Sequence, residues 1–138
     1  MDKRIYYSWE QLNKDIINIA KLIKNYNISI IFGFPRGGLI PAVMLSNYSN
    51  IPLATHFSEI AHLRHDKILL IDDISDSGKT MLGIRDIEKY KTVTLYIKNQ
   101  TKFVPNIYCH KCDNNIWLNF PWEKRNSLTE KDNTFKNV

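Results

Sequence analysis

The sequence predicts an α/β fold, a parallel sheet with helices on both faces. Two observations carry this. Short, wholly apolar runs at Ile28–Phe34 and Ile68–Ile71 alternate with stretches of helical periodicity, and a run without apolar–polar alternation suits a strand buried on both sides. Each run also ends in a polar turn that leads into a helix, the order expected of strand–helix–strand units.

Taken along the chain, Ser8 and Gln11 have the spacing of a capping box, and Leu12, Ile16, Ile19, Ala20 and Ile23 then recur on one face. An amphipathic helix is therefore predicted from about Trp9 to about Lys24. The Ile28–Phe34 strand stops at Pro35-Arg36-Gly37-Gly38, and a second helix follows with Leu39, Ala42, Val43 and Ser46 in step. Ile51–Phe57 reads as a strand and Ser58–Lys67 as a polar loop. Ile68–Ile71 runs into Asp72-Asp73, after which Ser75 to Thr80 opens a helix with Met81, Ile84 and Ile87 on successive turns. Thr92–Ile97 is the next strand. Ile107–Cys109 and Ile116–Phe120 are short extended pieces, expected to form a small cap at one edge. Residues 124–138 are charged and almost without apolar side chains, and a mobile tail is expected there. With no repeats or linkers, residues 1–138 read as one domain.

Composition narrows the function classes. A chain of 138 residues, 43% hydrophobic, can bury a core without disulfides or metals. No apolar run approaches the roughly 18 to 20 residues that span a bilayer, and the N-terminus is charged, so a cytoplasmic protein without a membrane span is expected. The net charge of +5 favours anionic partners, but the lysines are scattered and no basic stretch is interleaved with aromatics. No nucleic-acid partner is expected. Cys109 and Cys112 form one C-x-x-C, two ligands short of a structural zinc site, and read as free thiols. His56, His62 and His65 match no metal-ligand spacing and read as solvated loop residues.

The segment with the most chemistry is Ile68-Leu69-Leu70-Ile71-Asp72-Asp73-Ile74-Ser75-Asp76-Ser77-Gly78-Lys79-Thr80. An apolar strand delivers two carboxylates into a turn of small residues, and the backbone N–H groups there favour a phosphate at Ser77 to Thr80. Such a site lies at the carboxyl end of a parallel strand, where open α/β sheets place ligands. Gly78-Lys79-Thr80 is not a Walker loop, because Asp73 stands where that loop needs glycine, and the glycines at 33, 37 and 38 miss the dinucleotide-binding spacing.

The Asp72 to Thr80 segment resembles the phosphoribosyl pyrophosphate (PRPP) signature of the type I phosphoribosyltransferases. Four other pieces are similar to one branch, the xanthine-guanine phosphoribosyltransferases. These are Tyr7-Ser8-Trp9, the run Pro35-Arg36-Gly37-Gly38-Leu39-Ile40-Pro41, Val93 to Lys98, and Trp117-Leu118-Asn119-Phe120-Pro121-Trp122-Glu123. Together they follow one order over nearly the whole chain.

The resemblance implies the type I phosphoribosyltransferase fold, with a small C-terminal base-binding cap, and transfer of 5-phosphoribosyl from PRPP to a 6-oxopurine. Asp72, Asp73, Ser75, Asp76, Ser77, Gly78, Lys79 and Thr80 would hold the ribose and its phosphate. Arg36, Gly37 and Gly38 would face pyrophosphate, in a loop where relatives have a strained, sometimes cis, peptide and where Pro35 replaces their usual serine. Asp76 would be the catalytic residue, exchanging a proton with purine N7. Lys98 would donate to the 6-oxo group, Trp117 would stack on the base, and the backbone of Leu118 and Asn119 would address the 2-position. Mg²⁺ is implied as cofactor at Asp73, with Asp72 taking part through water, and relatives are commonly homodimers or homotetramers. Trp9 reads as structural, and Trp122 as structural or at the rim of the site. Relatives carry a longer mobile loop where this chain has only Ser58 to Asp66. Two alternatives share these residues: a PRPP-binding regulatory protein without turnover, and a phosphoribosyltransferase of different base specificity.

Overall fold

The computed structural model describes residues 3–124, so the tail expected at 124–138 lies, beyond Lys124, outside the described residues. Strand β1 (Lys3–Tyr6) leads into helix α1 (Trp9–Leu22), strand β2 (Ile30–Gly33) and helix α2 (Leu39–Ser49). Strand β3 (Ile68–Ser75), the short helix α3 (Lys79–Leu82), and strands β4 (Lys91–Lys98), β5 (Ile107–Cys112) and β6 (Ile116–Asn119) follow. The main sheet has the order β2-β3-β4-β5 and is parallel throughout, while β1 and β6 form a separate parallel pair.

Local sequence explains most boundaries. Gln11 N–H donates to Ser8 Oγ at 3.0 Å and Ser8 N–H to Gln11 Oε1 at 2.9 Å, so both halves of the capping box are made at the start of α1. Asn50, at φ 59°, ends α2 in the left-handed conformation that asparagine tolerates. The apolar runs become strands buried on both faces. Ile31, Leu69, Ile71 and Val93 meet Leu12, Ile16 and Ile19 of α1 and Ala42 and Leu45 of α2. On the other side Phe32, Ile68 and Leu70 meet Ile60, Met81, Ile87 and Tyr90.

Three expectations are corrected. The helix after Thr80 is only Lys79–Leu82, because the chain turns at Gly83 and again at Asp86, whose φ of 58° is left-handed. Ile87 still reaches the core, from a 3₁₀ turn at Ile87–Lys89. The strand expected at Ile51–Phe57 is one parallel bridge, Ile31 to Leu53, flanked by Ile31 N–H to Pro52 O at 2.9 Å and Ala54 N–H to Ile31 O at 2.8 Å. Finally, β5 joins the main sheet beside β4, and only β6, paired with β1, forms the cap.

A buried polar cluster ties this cap to the rest. The Tyr7 hydroxyl donates to Asp15 Oδ2, and the same oxygen lies 2.8 Å from His110 Nε2 on β5. The two free cysteines are three residues apart on β5, a spacing that turns strand side chains to opposite faces. Burial pushes the Cys109 thiol up to about 12, with Asp15 adding to it. Among the described residues no helix is long and apolar enough to cross a membrane.

Candidate active site

Strand β3 carries its two acids to the carboxyl end of the sheet, opposite the β2–α2 loop. Gly37 passes so close that a Cβ there would stand 2.1 Å from Asp73 Oδ2, so only glycine leaves that carboxylate its place. The peptide between Pro35 and Arg36 is cis. Asp72 is buried, and Oδ1 of each acid accepts the next N–H along the chain, Asp73 N–H at 2.9 Å and Ile74 N–H at 2.8 Å.

Burial raises the Asp72 carboxyl well above the usual carboxylate range, and the charge of Asp73 adds to it. Burial raises Asp73 as well, with Glu123 contributing, while hydrogen bonds from Asp72 and the backbone pull the other way. Desolvation of two adjacent acids dominates here, and both are held upward.

Two cavities open around these residues. The first, about 280 Å³, is lined by Asp72, Asp73, Ser75 to Thr80, Gly37, Pro35 and Thr94, among others. The second, about 180 Å³, is lined by Lys98, Trp117, Leu118, Phe120 and Glu123. Asp73, Ile74 and Asp76 line both, so the two are halves of one site with Asp76 at the junction. In this arrangement an anionic sugar phosphate and a flat heterocycle can sit on either side of one exposed carboxylate.

The structure brings together most of the residues singled out from the sequence. Ser77, Lys79 and Thr80 are exposed in the first half. Gly78 has φ 92°, which glycine adopts without strain. With α3 only four residues long, a phosphate here would rest on loop N–H groups and hydroxyls more than on a helix dipole. Ser75 lines the cavity, but its hydroxyl is taken by Thr101 Oγ1 at 2.7 Å and Phe103 O at 2.8 Å. Lys98 Nζ donates to Asn114 O at 3.1 Å, and Trp117 is half exposed. Three residues lie apart from both halves. Arg36 is exposed and lines neither, Gly38 is buried with its N–H donating to Phe34 O, and Asn119 lines a separate cavity with Tyr6, Tyr7, Ser8 and Trp9. Trp122 stacks on Phe120, centroids 5.0 Å apart, and meets Trp9 at 6.2 Å.

Sequence reasoning missed Thr94, Glu123 and Gln100. Thr94 is fully buried, lines the first half, and its hydroxyl has no hydrogen-bond partner among the described residues. Glu123 closes the second half, and Gln100 Nε2 donates to Asp76 Oδ1 at 2.6 Å. A threonine inside an apolar strand gives no signal until its register opposite Asp72 is known.

No protein-family model matches the chain. Among curated proteins it is similar to the xanthine-guanine phosphoribosyltransferase of Chromohalobacter salexigens, 26% identical over 132 residues spanning 84% of this chain and 82% of that one. Among solved structures it is similar to a purine phosphoribosyltransferase from Pyrococcus horikoshii, with TM-score 0.76, 29% identity, and coverage of 88% of this chain and 95% of the other. The Helicobacter pylori xanthine-guanine-hypoxanthine phosphoribosyltransferase shares the fold at TM-score 0.71 and 18% identity, both chains being covered completely.

Proposed function

We propose that this type I phosphoribosyltransferase, near the xanthine-guanine family in sequence and fold, is a purine salvage enzyme. It transfers 5-phosphoribosyl from PRPP to a 6-oxopurine (guanine, xanthine or hypoxanthine) and releases the nucleoside monophosphate and pyrophosphate. The observation that carries the reading is the two-part cavity meeting at Asp76, with the paired acids on one side and Lys98 with Trp117 on the other.

The roles follow from this chemistry. Asp72 and Asp73 hold the ribose hydroxyls, the N–H groups and hydroxyls of Ser77 to Thr80 hold the 5-phosphate, and the Pro35 to Gly38 loop faces pyrophosphate with Arg36 free to swing onto it. Ribosyl transfer passes through an oxocarbenium-like state, so catalysis consists largely of holding the reacting atoms in line and screening the charge. The C1–N9 bond forms as the C1–oxygen bond to pyrophosphate breaks, and Asp76 takes the proton from N7. Lys98 offers a donor that the 6-oxo group can accept and the amino group of adenine cannot. Trp117 covers one face of the base, and the backbone at Leu118 borders its 2-position, Asn119 lying outside this half of the site.

Among the described residues no cluster of three or more His, Cys, Asp or Glu side chains could by itself hold a metal ion. The donors nevertheless fit Mg²⁺, which binds through one or two carboxylates completed by water and substrate oxygens. Asp72, Asp73, Asp76 and Glu123 gather four acids around a site meant for a polyanion, and such a substrate needs a cation between. Asp73 would hold Mg²⁺, with Asp72 acting partly through water. Bound there, the ion would neutralise the leaving pyrophosphate.

The enzyme would act in the cytoplasm as a homodimer or homotetramer, exposed Leu39 and Val43 on α2 offering apolar area to a second copy. The test is calorimetric titration with PRPP, with and without Mg²⁺. Binding that needs Mg²⁺ and is lost in Asp73→Asn supports the site. PRPP binding that ignores both would sink it.

A further inference from the structure

Three consecutive residues at the end of β4 bond in turn to the connection between β5 and β6. Lys98 Nζ donates to Asn114 O at 3.1 Å, Asn99 Nδ2 to Asp113 Oδ1 at 2.7 Å, and Gln100 N–H to Asn114 Oδ1 at 2.7 Å. The Asn99 N–H adds a fourth tie, to Cys112 O at 3.0 Å. Held this way, Gln100 turns its side-chain amide to Asp76 and donates to Oδ1 at 2.6 Å.

We infer that Gln100 is a positioning residue for Asp76, and that the Asp113–Asn114 turn, by holding Gln100 and Lys98 together, sets the proton acceptor and the 6-oxo donor from one support. The inference rests on the proposed function. Asp76 is exposed, and an exposed carboxylate explores several rotamers unless something fixes it. A charge-assisted hydrogen bond from an anchored amide does this. The amide carries no titratable proton of its own. By occupying Oδ1 it leaves Oδ2 for purine N7. Other charged groups also face the junction, namely Asp73, Lys98 and Glu123 from the base side and Asp72 and Lys79 from the phosphate side, with the Cys112 thiol on β5 nearby. Of these, Lys98 is itself held by the turn and the acids repel Asp76. Among the described residues it is Gln100 that donates to the Asp76 side chain.

The experiment compares wild type, Gln100→Met, Gln100→Glu, Asp76→Asn and Gln100→Met/Asp76→Asn in steady-state nucleotide formation, with thermal midpoints alongside. Gln100→Met should lower kcat about tenfold, with KM for PRPP and for the base within about twofold, because a misplaced acceptor affects the chemical step more than binding. Gln100→Glu keeps the shape but sets a carboxylate against a carboxylate, and should lose more. In the Asp76→Asn background Gln100→Met should cost nothing further, since a residue acting through Asp76 has then nothing left to position. Unchanged kcat in Gln100→Met, or an equal loss with and without Asp76, overturns the inference while leaving the functional reading intact. Wild type that forms no nucleotide overturns both.

Discussion

Gly37 and Asp73 are packed so tightly that a Cβ on Gly37 would lie 2.1 Å from Asp73 Oδ2 and 2.4 Å from Asp73 Cγ. The loop after β2 and the acid on β3 therefore define one surface. In Gly37→Ala the carboxylate, as the mobile end of a side chain, would yield before the backbone does. The fold should survive, with a stability loss of about 1 to 3 kcal/mol. Placement of Asp73, the proposed Mg²⁺ and ribose ligand, would not, and kcat/KM for PRPP should fall about 100-fold. An alanine variant with full activity would show that Asp73 does not need its observed position.

The acid pair also predicts an unusual pH dependence. Burial raises both Asp72 and Asp73, so the folded protein holds protons that the unfolded chain has already released. Their contribution to stability is full below the unfolded value of about 4 and is lost as pH rises through the folded values. Urea melts between pH 4 and 9 should show this loss, and saturating Mg²⁺ with PRPP should offset it near neutrality. Asp72→Asn should gain at least about 1 kcal/mol at pH 8 while losing PRPP binding. A variant that is less stable than wild type at pH 8 would contradict the burial argument.

Thr94 invites a related trade. Its buried hydroxyl has no partner among the described residues and borders the cavity proposed to hold the sugar phosphate. Thr94→Val removes an unsatisfied group and should stabilise the free protein by about 1 kcal/mol. The same change should weaken PRPP binding about tenfold if the hydroxyl serves the ligand, whereas Thr94→Ser should bind normally. Equal affinity in all three would assign the threonine to packing alone.

Lys98 is the residue on which base choice is expected to turn. Its ammonium already rests on Asn114 O at 3.1 Å, at the edge of the cavity proposed for the base, so it can pivot between that carbonyl and a purine oxygen. In Lys98→Met, kcat/KM for guanine should drop about 100-fold with KM for PRPP unchanged, and discrimination against adenine should shrink. Unaltered discrimination would move recognition of the 6-position elsewhere.

How much of this the sequence reveals depends on whether a feature is local. Ile68–Ile71 and the acids after it are legible because one contiguous segment carries the strand, the carboxylates and the turn of small residues that line the cavity. The first helix is legible from a capping box and a single apolar face. The longer helix expected after Thr80 is not formed, because Met81, Ile84 and Ile87 keep a helical rhythm that two short turns satisfy equally well once Asp86 goes left-handed. β5 reads as cap rather than sheet because Tyr108, His110 and Lys111 dilute its apolar character at the sheet edge. Thr94, Gln100 and Glu123 gain meaning only from register and long-range contact, which no spacing in the chain encodes.

The central claim is that the two half-cavities meeting at Asp76 perform ribosyl transfer, and product formation tests it most directly. Purified protein with PRPP and Mg²⁺ is supplied separately with guanine, xanthine, hypoxanthine or adenine, and nucleoside monophosphate and pyrophosphate are quantified together. The expected result is equimolar nucleotide and pyrophosphate with at least one 6-oxopurine, little with adenine, and a loss of about 100-fold or more in Asp76→Ala. PRPP binding without nucleotide from any base would contradict the claim and point to a PRPP-binding regulatory protein on the same fold.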